Sequence, residues 1–543
     1  MKKTYEYVNS MRGGLILFVV GLSFFTGSVG ARAEEPAPSG QAENSVGFDI
    51  LEYQVDGNTV LDNRTIEKAV YPFLGPGRGI GDVEKARQAL ESAYHEAGYQ
   101  TVFVDIPEQD VEGNIVRLLV TEGKVERLKI TGSRYYSLGK IRDGVPALAA
   151  GQVPHMPTVQ AQLTQLGGES PDRQVTPVLR AGNTPGKMEV ELKVKDELPL
   201  HGSVEINGKN NENTTRTRLI AAVRYDNLWQ RFHSASLQYQ VTPENYDEVE
   251  VWAGTYVFPT GIADTRLAVY GIGISSTTDI ASAGALNVVG AGSIYGFRLV
   301  KPLKARENFF HSFTFGMDYK DFDESLALLG QDTQRTPITY VPFMLGYEAG
   351  LKGERYISSL NLETNFSIRG LGNEQQEFED KRFTARSNYL YLTGEFRHQQ
   401  LLPYDLRLIG RLSGQVTESP LISNEQFSAG GVGSVRGYHQ TEVLGDHGVN
   451  ASLELYSPPL EPANWDFVQS LRALIFTEGA KLWVVKPLPG TSREYELASA
   501  GAGLRLQVFK HLSGELDWAY PFIRVNRIDP GEQRVDFRVS YEF

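Results

Sequence analysis

The chain has 543 residues and a formal charge of −13. It has no cysteine, which excludes disulfides, thiolate metal sites and cysteine nucleophiles. An acidic chain rich in glycine, tyrosine and phenylalanine is also a poor nucleic-acid binder, because little in it would neutralise phosphates.

At the N-terminus Lys2, Lys3 and Arg12 precede an apolar run from Gly14 to Phe25, and Ala31-Arg32-Ala33 follows. A basic stretch, an apolar stretch and an A-x-A site are the parts of a secretory leader, here residues 1–33, cut after Ala33. The apolar run is short for a membrane helix, which needs about 20 residues. No other long apolar run occurs, so the sequence predicts an exported chain without a membrane helix. Residues 34–47 read as a polar linker containing Pro36 and Pro38.

An internal repeat comes next. Val55, Gly57, Ile66 and Val70 recur as Ile130, Gly132, Ile141 and Val145, each 75 positions on. Each copy opens with a strand and a glycine turn and continues into helical spacing. In the first copy Asp82 is the expected N-cap of a helix that stops at Gly98. Val83, Ala86, Leu90, Ala93 and Tyr94 line one face of it. Alternating strands are expected over Gln100–Gln109 and Asn114–Gly123. The order β-α-α-β-β, twice, predicts two small α+β modules, residues 48–123 and 124–196.

From about residue 197 helical periodicity nearly vanishes. In "SLNLETNFSIRG" Leu360, Leu362, Thr364, Phe366 and Ile368 alternate with Asn361, Glu363, Asn365, Ser367 and Arg369. "DLRLIGRLSGQVT" and "ELDWAY" repeat the pattern, and the last ten residues, "RVDFRVSYEF", set Val535, Phe537, Val539, Tyr541 and Phe543 against Arg534, Asp536, Arg538, Ser540 and Glu542. Soluble sandwiches and propellers also alternate, but they hide the apolar face in a shared core. An exported chain with charged faces strand after strand fits a transmembrane barrel better, with apolar residues toward lipid and charged ones toward the lumen. Residues 197–543 therefore predict an antiparallel β-barrel of about sixteen strands. The alternation runs to Phe543, which suits a strand locked into a closed sheet.

Two modules and a barrel, with "SVRGY" in a glycine-rich stretch, resemble the two-partner secretion transporters, the TpsB-type haemolysin secretion/activation proteins. The resemblance covers about residues 48–543 and makes the repeated modules POTRA domains. "PGKMEVELKVKDELPLHGSVEING" is similar to the family's junction between second POTRA and first barrel strand, and "RYDNLW", Arg224–Trp229, to the periplasmic turn after the second strand. The most specific stretch is residues 427–448, a loop that the resemblance folds back into the lumen. Its motif is Val435, Arg436, Gly437 and Tyr438, whose arginine would meet an acid on the barrel wall. The wall motif F-x-D-x-G appears here as Phe476, Glu478 and Gly479, with Glu for Asp and the glycine one place early. An arginine fork on that carboxylate would hold the loop at two points. Tyr541 and Phe543 match the family's barrel-assembly signal.

The resemblance implies an outer-membrane pore with periplasmic modules. It would capture an unfolded partner exoprotein and export it. The other implied partners are outer-membrane lipids and the barrel-assembly machinery, with no nucleic acid, metal or cofactor. Many members carry a plug helix ahead of the first POTRA, for which residues 34–47 are short. A barrel-assembly factor of the same superfamily would share the fold but usually has more POTRA repeats, and a diffusion porin would need neither the modules nor the loop. Catalysis is not expected, since "YHEAGY" is not H-E-x-x-H and "GVGSVRG" fits neither G-x-S-x-G nor a phosphate loop.

Overall fold

The computed structural model describes residues 47–543 apart from 112, 169, 213, 263, 277–280, 284, 285, 289, 290, 307, 324, 327–333 and 461–466. The expected leader, with Ala31 and Ala33, and nearly all of the expected linker lie outside the described residues. The chain divides into two compact units that meet in sequence at Pro199 and Leu200.

The first unit holds the repeat. In the first copy β1 (Glu52–Asp56), α1 (Asn63–Val70), α2 (Ile80–Glu96), β2 (Val102–Asp105) and β3 (Ile115–Glu122) follow in order. β3 is central, parallel to β1 and antiparallel to β2. A short pair, Phe48–Ile50 with Gly75–Arg78, lies outside this sheet. Val102, Val104, Val116, Leu118 and Val120 alternate onto one face and bury against Val83, Ala86, Leu90 and Tyr94 of α2. Each large apolar side chain so buried contributes about 1.5–3 kcal/mol.

Two expectations shift here. Gly79, not Asp82, is the N-cap of α2, and Asp82 sits at the third helical position, where its carboxylate accepts the Gly79 N–H at 3.2 Å. A carboxylate reaching back one turn satisfies the start of a helix as well as a cap does. The strand expected over Gln100–Gln109 stops at Asp105. Pro107 lacks an N–H, and the Gln109 side-chain amide takes over, pairing with the Arg117 N–H at 2.7 Å and the Arg117 carbonyl at 2.8 Å.

The second copy runs β4 (Lys124–Thr131), α3 (Leu138–Asp143), α4 (Met156–Gly168), β5 (Arg173–Ala181) and β6 (Lys187–Asp196). β6 is central, parallel to β4 and antiparallel to β5. The copies share a device that the repeat pattern did not reveal. Glu122, ending β3, accepts the Thr59 and Val60 N–H groups at 2.5 and 3.1 Å. Asp196, ending β6, accepts those of Arg134 and Tyr135 at 2.9 and 2.8 Å. Each carboxylate ties the last strand to the turn after the first.

The second unit is a closed barrel of sixteen antiparallel strands. They are β7 (Leu200–Asn207), β8 (Arg218–Leu228), β9 (His233–Val241), β10 (Val249–Pro259), β11 (Arg266–Ser276), β12 (Ala291–Pro302), β13 (Phe309–Asp323), β14 (Ile338–Tyr340 and Pro342–Lys352), β15 (Tyr356–Ser367), β16 (Leu390–Leu401), β17 (Arg407–Thr417), β18 (His447–Tyr456), β19 (Val468–Trp483), β20 (Glu494–Val508), β21 (Leu512–Pro521) and β22 (Arg534–Glu542). β22 pairs with β7, Arg538 opposite Asn207 through Glu542 opposite Ser203. Phe543 extends this seam by exchanging main-chain hydrogen bonds with Gly202, both 3.0 Å. The Phe543 ring lies over Gly202, where any Cβ would overlap it.

The alternation of the strands sorts the wall. Leu362, Leu412, Ile475, Leu504, Trp518 and Val535 are all at least 42% exposed, whereas Glu478, Asp517 and Asp536 are at most 6% exposed. An apolar outer band around an ionic interior is the arrangement a bilayer demands of a barrel. Turns at one rim are short. The one after β8 reverses over Leu228–His233, with Trp229, Gln230 and Phe232 at positive φ. It therefore starts later than the Arg224–Trp229 expectation, because Arg224 and Tyr225 still pair with Ser236 and Ala235.

Loops at the opposite rim are longer, and two fold inward. Residues 368–389, with the short helix α5 (Gln375–Lys381), bury Phe378 and Tyr389 in one cluster with Ile272, Ile274, Ile294 and Phe322 of the inner wall. Asp446, fully buried, knots this rim together. It accepts from the Arg382 guanidinium (2.7 Å to Oδ2), the Leu421 N–H (2.8 Å) and the Val485 N–H (2.6 Å). Those donors come from three different loops.

Candidate lumenal clamp

The segment between β17 and β18 turns back on itself through a small antiparallel pair, Phe427–Ala429 with Val443–Gly445. Its tip is compact. Gly431 donates to the Val435 carbonyl at 3.1 Å, and Gly430 donates to the Ser434 hydroxyl at 2.7 Å. Val435 and Tyr438 are fully buried with Leu482, Leu497 and Val525. The Tyr438 hydroxyl donates to the Ile523 carbonyl at 2.8 Å. Gly437 between them has φ +95, a backbone conformation that favours glycine, and it packs beside Ala519 and Pro521 of the wall.

Arg436 is 2% exposed. Its backbone N–H donates to Glu478 Oε2 at 2.7 Å and its Nε to Glu478 Oε1 at 3.0 Å. Its Nη2 bonds both Glu478 and Glu454, and its Nη1 lies 3.4 Å from Asp517. The guanidinium carbon stands 3.5 Å from the centre of the Phe476 ring, a cation–π contact. One cation thus faces three carboxylates from β18, β19 and β21. Ser452 donates to Glu478 at 3.2 Å.

The interior charges continue sideways. Arg505 binds Asp517 at 2.8 Å and reaches Glu515 at 3.7 Å. Arg538 bridges Glu515 and Glu205, both at 2.8 Å. A line of alternating charges therefore runs from Arg436 to the seam between β22 and β7.

Of the residues singled out in the sequence, Val435, Arg436, Gly437, Tyr438, Phe476 and Glu478 come together. Gly479 does not: it follows Glu478 on β19 and so falls on the other face, beside the Leu497 carbonyl. Tyr541 and Phe543 stand elsewhere, on the outer face at the short-turn rim, with ring centres 6.2 Å apart. Sequence reasoning missed Glu454 and its contact with Arg436. Its signal was the run Asn450, Ser452, Glu454, a polar face alternating as β19 does.

A closed barrel with an apolar outside and an ionic inside, preceded by an α+β repeat, defines an outer-membrane β-barrel protein with N-terminal POTRA-type modules. The family profile of the haemolysin secretion/activation proteins, ShlB/FhaC/HecB, matches residues 186–506, and that of the ShlB-type POTRA domain matches residues 48–123. The chain belongs to the ShlB/FhaC/HecB family. It is 21% identical over 426 residues to the outer membrane transporter CdiB of Dickeya dadantii, covering 74% of this chain and 71% of that one. It is 19% identical over 451 residues to the heme/hemopexin transporter protein HuxB of Haemophilus influenzae, covering 80% and 76%. The solved structure of CdiB from Escherichia coli superposes with a TM-score of 0.63 at 19% identity, covering 93% of each chain.

Proposed function

We propose that this protein is an outer-membrane pore that exports a partner exoprotein, with the clamped loop as its lumenal gate. The repeat captures the unfolded partner in the periplasm, and the ionic lumen conducts it outward. The observation that carries the reading is Arg436: a loop from the long-loop rim buries its one tip cation among three carboxylates of the inner wall. A porin needs no such attachment. The reading calls for no catalytic step and no cofactor. The second copy serves as a second POTRA domain on this reading, since its β-α-α-β-β order and its carboxylate tie repeat those of the first. Lipids would cover the apolar band, and the barrel-assembly machinery would engage the terminal strand.

The test is export. With its partner coexpressed, the intact protein should release the partner to the medium. Deleting Phe48–Lys195 should leave an inserted barrel that releases none. Normal secretion by the truncated pore would sink the capture role.

A further inference from the structure

We infer that Glu425 is a second anchor of the lumenal loop, holding the loop's root against β13, β14 and β16 while Arg436 holds its tip against β18, β19 and β21. The pore is closed only when both hold. The inference rests on the gate reading above and adds the residue that positions the gate at its other end.

The root enters the barrel as an apolar pair. Leu421 and Ile422, each 1% exposed, lie in one cluster with Phe378 and Tyr389 of the other inward loop and with Tyr340 and Tyr391 of the wall. A single 3-10 turn, Ser423–Glu425, follows. Glu425 at its end is 4% exposed. Its Oε1 accepts from Lys320 Nζ at 2.7 Å and from the Tyr340 hydroxyl at 2.6 Å. Its Oε2 accepts from the Tyr391 hydroxyl at 2.6 Å. Lys320 also stands 5.5 Å from the centre of the Tyr340 ring, and the Tyr389 ring stacks on Tyr391 at 5.9 Å and 16°. Taking a carboxylate out of water is costly unless its charge is paired and its oxygens are bonded. Here one ammonium and two phenols, from three different strands, do both.

The main chain of the root is fastened separately. Gln415 of β17 donates to the Glu425 carbonyl at 3.0 Å and to the Asp446 carbonyl at 3.2 Å. The Leu421 N–H donates to Asp446 at 2.8 Å. These bonds join the root to the loop's own strand and to its return, whereas the Glu425 side chain carries it across to the wall beyond.

The two anchors differ in sign and in place. The root offers a carboxylate to Lys320, and the tip offers a guanidinium to Glu454, Glu478 and Asp517. In the order of the barrel, β13, β14 and β16 precede the loop, and β18, β19 and β21 follow it. A loop held at one end can swing about that end. Held at both, it lies across the lumen. Exchanging the ends would set Glu425 against three carboxylates and Arg436 against Lys320, so charge also fixes which way the loop lies.

The test uses the full-length protein, which has no native cysteine, at matched amounts of heat-modifiable barrel. Conductance across planar lipid bilayers reads the gate. Maleimide labelling of a single cysteine reads the loop, with Ser423→Cys for the root and Val432→Cys for the tip, both half-buried positions. Glu425→Gln leaves Lys320 without its counter-charge. It should speed labelling at the root severalfold, leave the tip unchanged and raise conductance severalfold. Arg436→Ala should free the tip, leave the root unchanged and raise conductance as well, and the two changes together should exceed either alone. Adding Lys320→Met to Glu425→Gln removes the unpaired charge and leaves an amide group to which both tyrosine hydroxyls can bond. Root labelling and conductance should then return toward native values. Such rescue separates charge pairing from packing, because a side chain that only fills space would be replaced by glutamine without effect. Native root labelling and conductance in both Glu425→Gln and Glu425→Ala, no rescue by Lys320→Met, or a tip freed as much as the root by Glu425→Gln would overturn the proposal. Native conductance in Arg436→Ala would instead remove the gate reading itself.

Discussion

Arg436 meets Glu478 twice, once with its backbone N–H and once with its side-chain fork. The loop is thus attached to the wall by a residue whose main chain and charge act together. Arg436→Ala removes the charge contact and leaves Glu478 and Glu454 facing each other. Breaking a buried pair costs about 3–5 kcal/mol, whereas a solvated pair contributes about 1 kcal/mol or less. Both side chains are at most 3% exposed, so the higher figure governs unless water enters. The variant should assemble a heat-modifiable barrel, lose most export, and expose its loop to added protease. Unchanged export would remove the clamp from the mechanism.

The absence of cysteine makes the clamp open to direct test. With Arg436→Cys and Glu478→Cys combined, oxidation of intact membranes should give an intramolecular cross-link. No cross-link, with each single cysteine labelled freely from outside, would place the loop outside the lumen.

Phe543 closes the seam against Gly202. Removing Phe543 deletes one pair of ladder bonds and a ring at the rim. The amount of heat-modifiable barrel in the membrane should fall severalfold, with export per barrel little changed. Normal barrel levels would count against any assembly role for the terminal aromatic.

Asp446 ties three loops at the long-loop rim. Arg382→Ala should loosen α5 from the mouth and raise the influx of a large hydrophilic antibiotic such as vancomycin. Unaltered resistance would show that the inward loops close the mouth without that bond.

Asp196 offers a pH test outside the membrane. Burial raises its carboxyl pKa, but the N–H groups of Tyr135 and Arg134 and the Ser133 hydroxyl more than offset this, leaving it below the usual range. A depressed carboxylate stabilises the fold above its unfolded value, near 3.9, and loses that contribution as pH falls through the folded value. Asp196→Asn should therefore loosen the second repeat by about 1 kcal/mol at pH 7, similar to losing a helix cap. The difference should shrink at acid pH, once the folded-state carboxylate is protonated. Amide exchange at Arg134 and Tyr135 reads it directly, and an equal effect at both pH values would rule out charge as the cause.

Much of this molecule is legible as period. The strands around Leu362, Leu412 and Trp518 show their faces in sequence because lipid and lumen demand opposite chemistry at successive positions. The repeat shows through Gly57 and Gly132, which mark the same turn. Boundaries were less legible, since Gln109 ends a strand by imitating one and Asp82 caps from inside its helix. At the clamp, Arg436 and Glu478 could be paired through a motif. Glu454 and Asp517 could not, because contacts across strands depend on register and stagger, which alternation along one strand does not contain. The edge of β2 was equally hidden: Arg87, Glu91 and His95 of α2, at i, i+4 and i+8, bond main-chain groups of Val102 and Val104.

The inner wall from Glu478 to Glu205 alternates in sign: carboxylate, Arg436, Asp517, Arg505, Glu515, Arg538, carboxylate. For a polymer sliding past, such a surface is electrically striped. Along this line each charge neighbours its opposite, so attraction at one step should be cancelled at the next. The pore should then behave as a low-friction guide whose drag depends weakly on the charge of its cargo, and directionality must come from events at its two ends.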